Sequence, residues 1–386
     1  MKNLYRKGEI KMMKRRDFIK IILSTGALYL GGSFISGCSG IKRNDTCEPD
    51  SSQKDSPTPD TVSKMILYYA SLAPSGHNTQ PWRVRIEDRN TWIIESDPDR
   101  KLPVVDPENR ELLLSLGAFV ENLSIAAGAM GWKSDVEVIA AGRFDRDVVR
   151  VNLNRDKPVI RNLENIKKRR TIKHGLMNRE ISSSDTGLLN KEAEGHLAYF
   201  PKGSVHASSF RDAAIANFRT QTFRRDAQLE LIRWLRLDDL SVRKFRDGLS
   251  LEGMEITGIK GWFLRHFSKP EDFMKDSYCK QSIDAVSRLA GEGGGWMVIS
   301  SPGEAVSDLI TAGRRFQRMA LSARELGIGI HPMTQMLEEK KGISGVATIQ
   351  EKGVFPQFVL RAGYTDIYPE PVSLRRPVEW FTYSSV

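Results

Sequence analysis

Ala73-Pro74-Ser75-Gly76-His77-Asn78-Thr79-Gln80-Pro81-Trp82 is the stretch on which the reading of this chain turns. Ahead of it, Val62, Met65, Ile66 and Tyr69 recur at helical spacing, so an amphipathic helix runs into it. A proline followed by Ser-Gly ends that helix and leaves backbone donors and a hydroxyl exposed. Such a corner suits a polar heterocycle. Gln80-Pro81-Trp82 then turns the chain into a strand that alternates through Trp82, Val84 and Ile86. Composition of so short a piece favours, by itself, an ordinary Pro/Gly/Asn turn between helix and strand.

Two more segments add weight. Ile166-Lys167-Lys168-Arg169-Arg170-Thr171-Ile172-Lys173 sets guanidinium groups beside a hydroxyl, sensible chemistry for a phosphate dianion. Alone it would read as a solvated basic helix start. Near the carboxyl end, Arg361-Ala362-Gly363-Tyr364 closes a strand through Phe358, Val359 and Leu360, and Arg375-Arg376-Pro377 follows. In this order the three segments resemble the flavin-binding segments of the nitroreductase superfamily, over roughly residues 61 to 386 and more weakly from 200 to 290. The resemblance implies a bound FMN. It puts Pro74, Ser75, Gly76 and Asn78 at the ring, and Arg169, Arg170, Thr171, Lys173 and Arg375 at the phosphate. No catalytic side chain is implied, because the flavin carries the hydride. The implied fold is α+β and nitroreductase-like, two half-domains each with helices around a central mixed sheet.

About 325 residues follow residue 60, more than most single cores hold, so two packed units are expected. An internal echo agrees. A helix from Gly117 to Gly131 carries Val120, Leu123 and Ala127 on one face, and a helix from Gly313 to Gly327 carries Phe316, Met319 and Ala323 at the same offsets. Two unrelated glycine-capped helices would look the same. Ordinary nitroreductases are homodimers whose flavin lies between subunits. Here the Pro74–Trp82 motif occurs only in the first half and the Arg169–Lys173 motif only in the second. The chain is therefore similar to the Acg-type proteins: a fused pseudo-dimer with halves at 61–165 and 166–386, one complete flavin site and one decayed site, and a monomer in solution. In such proteins an insertion covers the flavin. Residues 224–280, with Trp234 and the aromatic run Trp262, Phe263, Phe267 and Phe273, are the expected lid; a helix packed into the core is the alternative.

The first 37 residues read as an export signal. Lys14-Arg15-Arg16-Asp17-Phe18-Ile19-Lys20 resembles a twin-arginine motif, an apolar run goes from Ile21 to Ile35, and Ile35-Ser36-Gly37-Cys38 looks like a lipobox with Cys38 as the lipidated residue. The run is short of the ~20 apolar residues a membrane span needs. Met12 or Met13 is an alternative start. Residues 38–60, rich from Asp45 to Asp60 in Asp, Ser, Pro and Lys, read as a flexible linker to a membrane anchor. The formal charge of +10 owes much to the signal, which holds eight basic and two acidic residues; the remainder has 50 Lys+Arg against 46 Asp+Glu. Nucleic-acid binding therefore has little support. Cys47 and Cys279 could pair in an oxidising compartment. The six histidines (His77, His174, His196, His206, His266 and His331) show no paired metal spacing. Glu292-Gly293-Gly294-Gly295 precedes a strand, so it is a loop rather than a dinucleotide fingerprint.

These readings converge on an exported, lipid-anchored FMN oxidoreductase of the bacterial envelope. It would pass electrons to a small nitro, quinone or similar acceptor, with a membrane quinol or redox partner as donor. The alternatives are an FMN-sequestering protein with a closed lid, and a structural lipoprotein that has lost flavin.

Overall fold

The structure is a computed structural model, and it describes residues 61–160, 162–339 and 354–384. The expected signal, the expected lipobox with Cys38, the expected linker and Cys47 lie outside the described residues. The helix leading into the first motif runs from Thr61 to Ser71, and the strand after it, β1 (Trp82–Ile86), buries Trp82, Val84 and Ile86 as the alternation required.

Two sheets follow one plan. In the first, β1, β2 (Thr91–Ser96), β3 (Trp132–Val138) and β4 (Asp147–Arg155) are arranged β1-β2-β4-β3, all antiparallel. In the second, β5 (Leu197–Pro201), β8 (Gly295–Ser301), β9 (Ile328–Pro332) and β10 (Phe355–Tyr364) are arranged β5-β8-β10-β9, again antiparallel. Each sheet receives its third strand from a long central helix, Arg110–Ala129 in the first half and Val306–Glu325 in the second. The expected α+β architecture of two half-domains is the one observed. A minor pair, β6 (Leu235–Arg236) with β7 (Leu249–Ser250), belongs to a long insertion between β5 and β8.

The central helices form the heart of the molecule. Both start well before the glycines that were read as their amino-terminal brackets, because Leu112, Leu113, Leu114 and Leu116 and, in the second half, Leu309 and Ile310 continue the buried faces. Gly117 and Gly313 sit mid-helix at the crossing. A Cβ on Gly117 would lie 2.2 Å from the Ile310 carbonyl oxygen, and one on Gly313 would lie 2.1 Å from that of Leu114. Glycine is present there because backbone meets backbone.

The polar contacts on this seam are reciprocal. Glu121 pairs with Arg318 at 2.9 Å, while Gln317 donates to Asn122 Oδ1 at 2.7 Å. Arg110 and Val306, Gly117 and Gly313, Glu121 and Gln317, and Trp132 and Ile328 are separated by one constant interval. A two-fold-like relation between the halves therefore runs through the helix crossing. By length and composition the first helix could cross a membrane, but most of it is core.

The halves are interlocked rather than side by side. The core around Trp82, Trp92 and Phe119 also takes in Val306, Leu309, Ile310, Val378 and Phe381. A fifth strand, β11 (Thr382–Ser384), joins the first sheet in parallel beside β1, with Val84 opposite Thr382. Second-half residues thus pack across the 165/166 boundary into the first core and sheet.

Candidate functional site

The first motif is built as a tight, left-handed corner. His77, Asn78 and Gln80 all have positive φ, a conformation that side-chain-bearing residues hold only when their surroundings fix it. The Ser75 hydroxyl oxygen accepts the Gln80 backbone N–H at 2.9 Å. Gln80 is fully buried: its side chain donates to the Arg246 carbonyl at 2.8 Å and accepts the Arg376 N–H at 2.8 Å. Arg376 also donates to the Gln80 and Trp82 carbonyls, at 2.6 and 2.8 Å. Burial lowers its pKa to about 9. The basic pair near the carboxyl end therefore bolts the corner in place.

Asn78 is held on one side only. Its amide nitrogen donates to the carbonyls of Gly248 (3.1 Å) and Leu374 (3.4 Å), and Gly248 N–H donates back to the Asn78 carbonyl at 3.1 Å. That fixes the amide so that Oδ1 is a buried acceptor without a donor among the described residues. Gly248 has φ +73 and no room for a Cβ, which would fall 2.2 Å from the Trp234 oxygen. The clasp needs glycine there.

The second motif splits into used and unused groups. Arg170 is committed, donating to Glu255 Oε1 at 3.0 Å, to the Glu370 carbonyl at 2.7 Å and to its neighbour Thr171. Glu255 also accepts from the backbone N–H groups of Lys173 and His174. Burial opposes its charge, but these bonds with His174 and Arg170 outweigh that and hold its pKa low. Arg169 differs. It is only 5% exposed, no side-chain hydrogen bond satisfies it among the described residues, and its Nε is an orphan. Burial, opposed by the Tyr368 hydroxyl, lowers its pKa. The Thr171 hydroxyl and the Lys173 ammonium likewise make no hydrogen bond among the described residues, and burial, opposed by the Glu255 charge, lowers the Lys173 pKa.

The motifs feel one another's charge. Burial depresses the pKa of His77, Glu111 pulls it up and the Lys173 charge lowers it further. Glu111 Oε2 lies against Gly76, where an added Cβ would be 3.2 Å away. Glu111 also helps burial to raise Glu338 to about 8, although Glu338 accepts from Gln221 and Thr334. The tail from Tyr368 to Arg376 spans the two, touching Arg170 at one end and Asn78 and Gln80 at the other.

Other expected site residues are placed differently. Arg375 spends its guanidinium on the carbonyls of Leu374 and Ala73, at 3.0 and 3.1 Å, tying down the carboxyl end of the first helix. Arg361 is buried against the Lys173 carbonyl and His331, and burial lowers its pKa to about 10. Pro74 and Gly76 shape the corner without offering side-chain chemistry. Trp234 packs with Leu102, Val105 and Ala227, so it anchors the insertion to the first half. The residues of the insertion that touch the motifs are Arg246, Gly248 and Glu255, which sequence reasoning missed; the Asp247-Gly248 pair was the available signal. Trp262 and Phe267 are exposed. Cys279 is buried and forms no disulfide among the described residues.

No protein-family model matches the chain. Among curated proteins, "Putative NAD(P)H nitroreductase Rv3131" of Mycobacterium tuberculosis (strain ATCC 25618 / H37Rv) is 24% identical over 346 residues, covering 84% of this chain and 92% of its own length. The relatives matched over most of this chain carry nitroreductase names, while "Uncharacterized protein Rv3127" of M. tuberculosis, 31% identical over 84 residues, carries none. "Probable NAD(P)H nitroreductase PigM" of Serratia sp. is 22% identical over 318 residues, covering 76% of this chain and 86% of its own. A third, "Putative NAD(P)H nitroreductase acg" of M. tuberculosis, is 41% identical, but over only 76 residues, which are 20% of this chain and 23% of that one. Among solved structures, the FMN and NADPH-dependent nitroreductase NfnB from Sphigopyxis sp. strain HMH aligns over 58% of this chain and 98% of its own at a TM-score of 0.36 and 11% identity. That likeness is too loose to carry an argument.

Proposed function

We propose that this chain is an FMN-dependent oxidoreductase of the nitroreductase family, passing electrons to a small nitro, quinone or similar acceptor. The names of its relatives support the class. The observation that carries the cofactor is a pair of unsatisfied buried groups of opposite kind, one in each motif. Arg169 is a buried cation lacking an anion, and Asn78 Oδ1 is a buried acceptor lacking a donor. Groups of this kind are costly to leave unpaired, and FMN offers both complements, a phosphate dianion and a ring N–H. Arg169, Thr171 and Lys173 would hold the phosphate. Asn78 would orient the ring, with the Ser75 hydroxyl proton available beside it. FMN supplies the hydride chemistry when bound. The protein's part is to keep the corner rigid, hold positive charge at the phosphate and exclude water with the insertion clasped on Asn78 and Gln80.

Purified protein is expected to be yellow and to release close to one FMN per chain on heating, since only one half carries each motif. A colourless protein would sink the cofactor reading, and a ratio near two would sink the single-site reading. Asn78→Ala should move the flavin's midpoint potential by about 20–30 mV, the equivalent of one hydrogen bond of about 1–1.5 kcal/mol to the ring. Potentiometric titration against the parent protein reads this; an unchanged potential would put Asn78 away from the ring.

A sequestering role is the second reading. It is favoured by the closure itself: the insertion is fastened to Asn78, Gln80 and Arg170 at once. Reoxidation of the reduced protein by a nitroaromatic or a quinone separates the two, because a sequestered flavin would stay reduced.

The export reading adds a further proposal, on the donor. With Arg15-Arg16 as a twin-arginine signal and Cys38 as a lipidated residue, the domain would work outside the cytoplasm, where nicotinamide dinucleotides are scarce. A ligand far below its dissociation constant leaves a site empty. Turnover would then draw on a membrane quinol or a redox partner. Stopped-flow reduction by NADH, NADPH and a quinol analogue is expected to show quinol reducing the flavin; fast reduction by either nicotinamide with none by quinol would overturn this.

A further inference from the structure

The helix Gly258–Phe267, on the insertion, breaks the usual pattern of a surface helix. Its inner face, Gly261 and Leu264, is buried, with Leu264 against Leu235, Leu237 and Leu251, so the outer face should be polar. Instead Ile259 is 68% exposed, Phe267 49% and Trp262 39%. The rings of His266 and Phe267 pack on Trp262 with centroids 4.9 and 5.7 Å away. The helix Asp239–Phe245 is joined to it by the Arg265–Asp239 ion pair at 3.1 Å, and it presents Leu240, 82% exposed, and Phe245. Single exposed apolar residues need no explanation, but five on two adjoining helices do.

The charges beside them are arranged to match. Lys244 and Lys260 have no carboxylate partner among the described residues, Lys244 lies over the Phe245 ring at 5.2 Å, and Lys269 shares the Asp272 charge with Lys275. Of the neighbouring acids, Asp239 and Glu252 share the one charge of Arg265 and Asp272 pairs with Lys275, leaving Glu271 and the capping Asp238.

We propose that this face docks on an anionic lipid bilayer, with Trp262, Phe267, Ile259 and Leu240 in the headgroup boundary and Lys244 and Lys260 on lipid phosphates. Aromatic and aliphatic side chains flanked by lysine are the composition of helices that lie in that boundary. The proposal rests on the anchored reading for how the domain meets a membrane: the chain from Cys38 to Thr61, some two dozen residues, spans at most about 80 Å. The docking face is on the same insertion that closes on Asn78. Contact with the bilayer therefore brings the cover, and whatever reaches the corner past it, to the lipid.

The test uses the full chain reconstituted in vesicles of phosphatidylcholine and phosphatidylglycerol carrying bromine on their acyl chains. Tryptophan emission should fall relative to unbrominated vesicles, and Trp262→Leu should abolish most of that quench. The Ile259→Ser/Phe267→Ser double variant should also lose it while keeping the parent's thermal melt, and vesicles without phosphatidylglycerol should weaken it. Equal quenching in Trp262→Leu would overturn the proposal. So would a parent protein that is dimeric and becomes monomeric in the double variant, which would give the face to a second copy. Flavin is counted separately by absorbance. Flavin-free protein with intact Trp262-dependent quenching sinks only the oxidoreductase reading, and loaded protein without it sinks only the docking.

Discussion

Arg169→Ala is expected to raise the dissociation constant for FMN ten-fold or more, a loss of about 1.5–3 kcal/mol for one charge-assisted contact. The variant is informative because Arg169 does nothing else that the structure shows. Its neighbour Arg170 is fastened to Glu255 and Glu370, and Arg375 to the end of the first helix, so removing either would disturb the fold as well as the site. Arg169 is buried with its Nε unsatisfied. Without a ligand, truncating it should cost little stability and could add some, since an unpaired buried charge is removed. Titration of apoprotein with FMN, followed by quenching of flavin fluorescence, measures the affinity. Unchanged binding would make the basic run a structural feature only.

Gly313→Ala is expected to destabilise the fold by about 2–3 kcal/mol or more, even though alanine is the better helix former by about 1 kcal/mol. The new methyl would land 2.1 Å from the Leu114 carbonyl oxygen and 2.9 Å from its carbon. These are backbone atoms and cannot rotate away, so the central helices would have to part. Gly117→Ala should behave alike, meeting the Ile310 oxygen at 2.2 Å. Gly187→Ala, also helical but with nothing within 4 Å, is the control and should stabilise by about 1 kcal/mol. Urea unfolding midpoints decide; a Gly313→Ala midpoint at or above the parent's would mean that the crossing is loosely packed.

Much of the fold could be read from the chain, because its signals are local. The helix into Pro74, the strand through Trp82, Val84 and Ile86 and the buried strand at Trp296 follow from periodicity and turn residues. The repeated helices were visible too, but their starts were misplaced: glycine ordinarily weakens a helix, and only the partner helix explains Gly117 and Gly313 in mid-span. The site was legible as motifs and opaque as wiring. Nothing near Arg375 in sequence says that it caps a helix some three hundred residues earlier, and Glu255 became a site residue only when the insertion folded back on Arg170. Trp234 and Trp262 look alike in sequence; packing made one an anchor and the other a surface ring.

The asymmetry of the two sheets has a consequence for how such a chain can change. Between β1 and β2 the connection is a tight turn, whereas the matching connection between β5 and β8 holds the whole insertion. In a pair of identical subunits every substitution is made twice, and an elaborate cover over one pocket comes with another over its twin. Joining the copies in one polypeptide lifts that coupling. One half can keep the short turn and supply the corner around Asn78 while the other grows the insertion, and neither has to remain competent to do both.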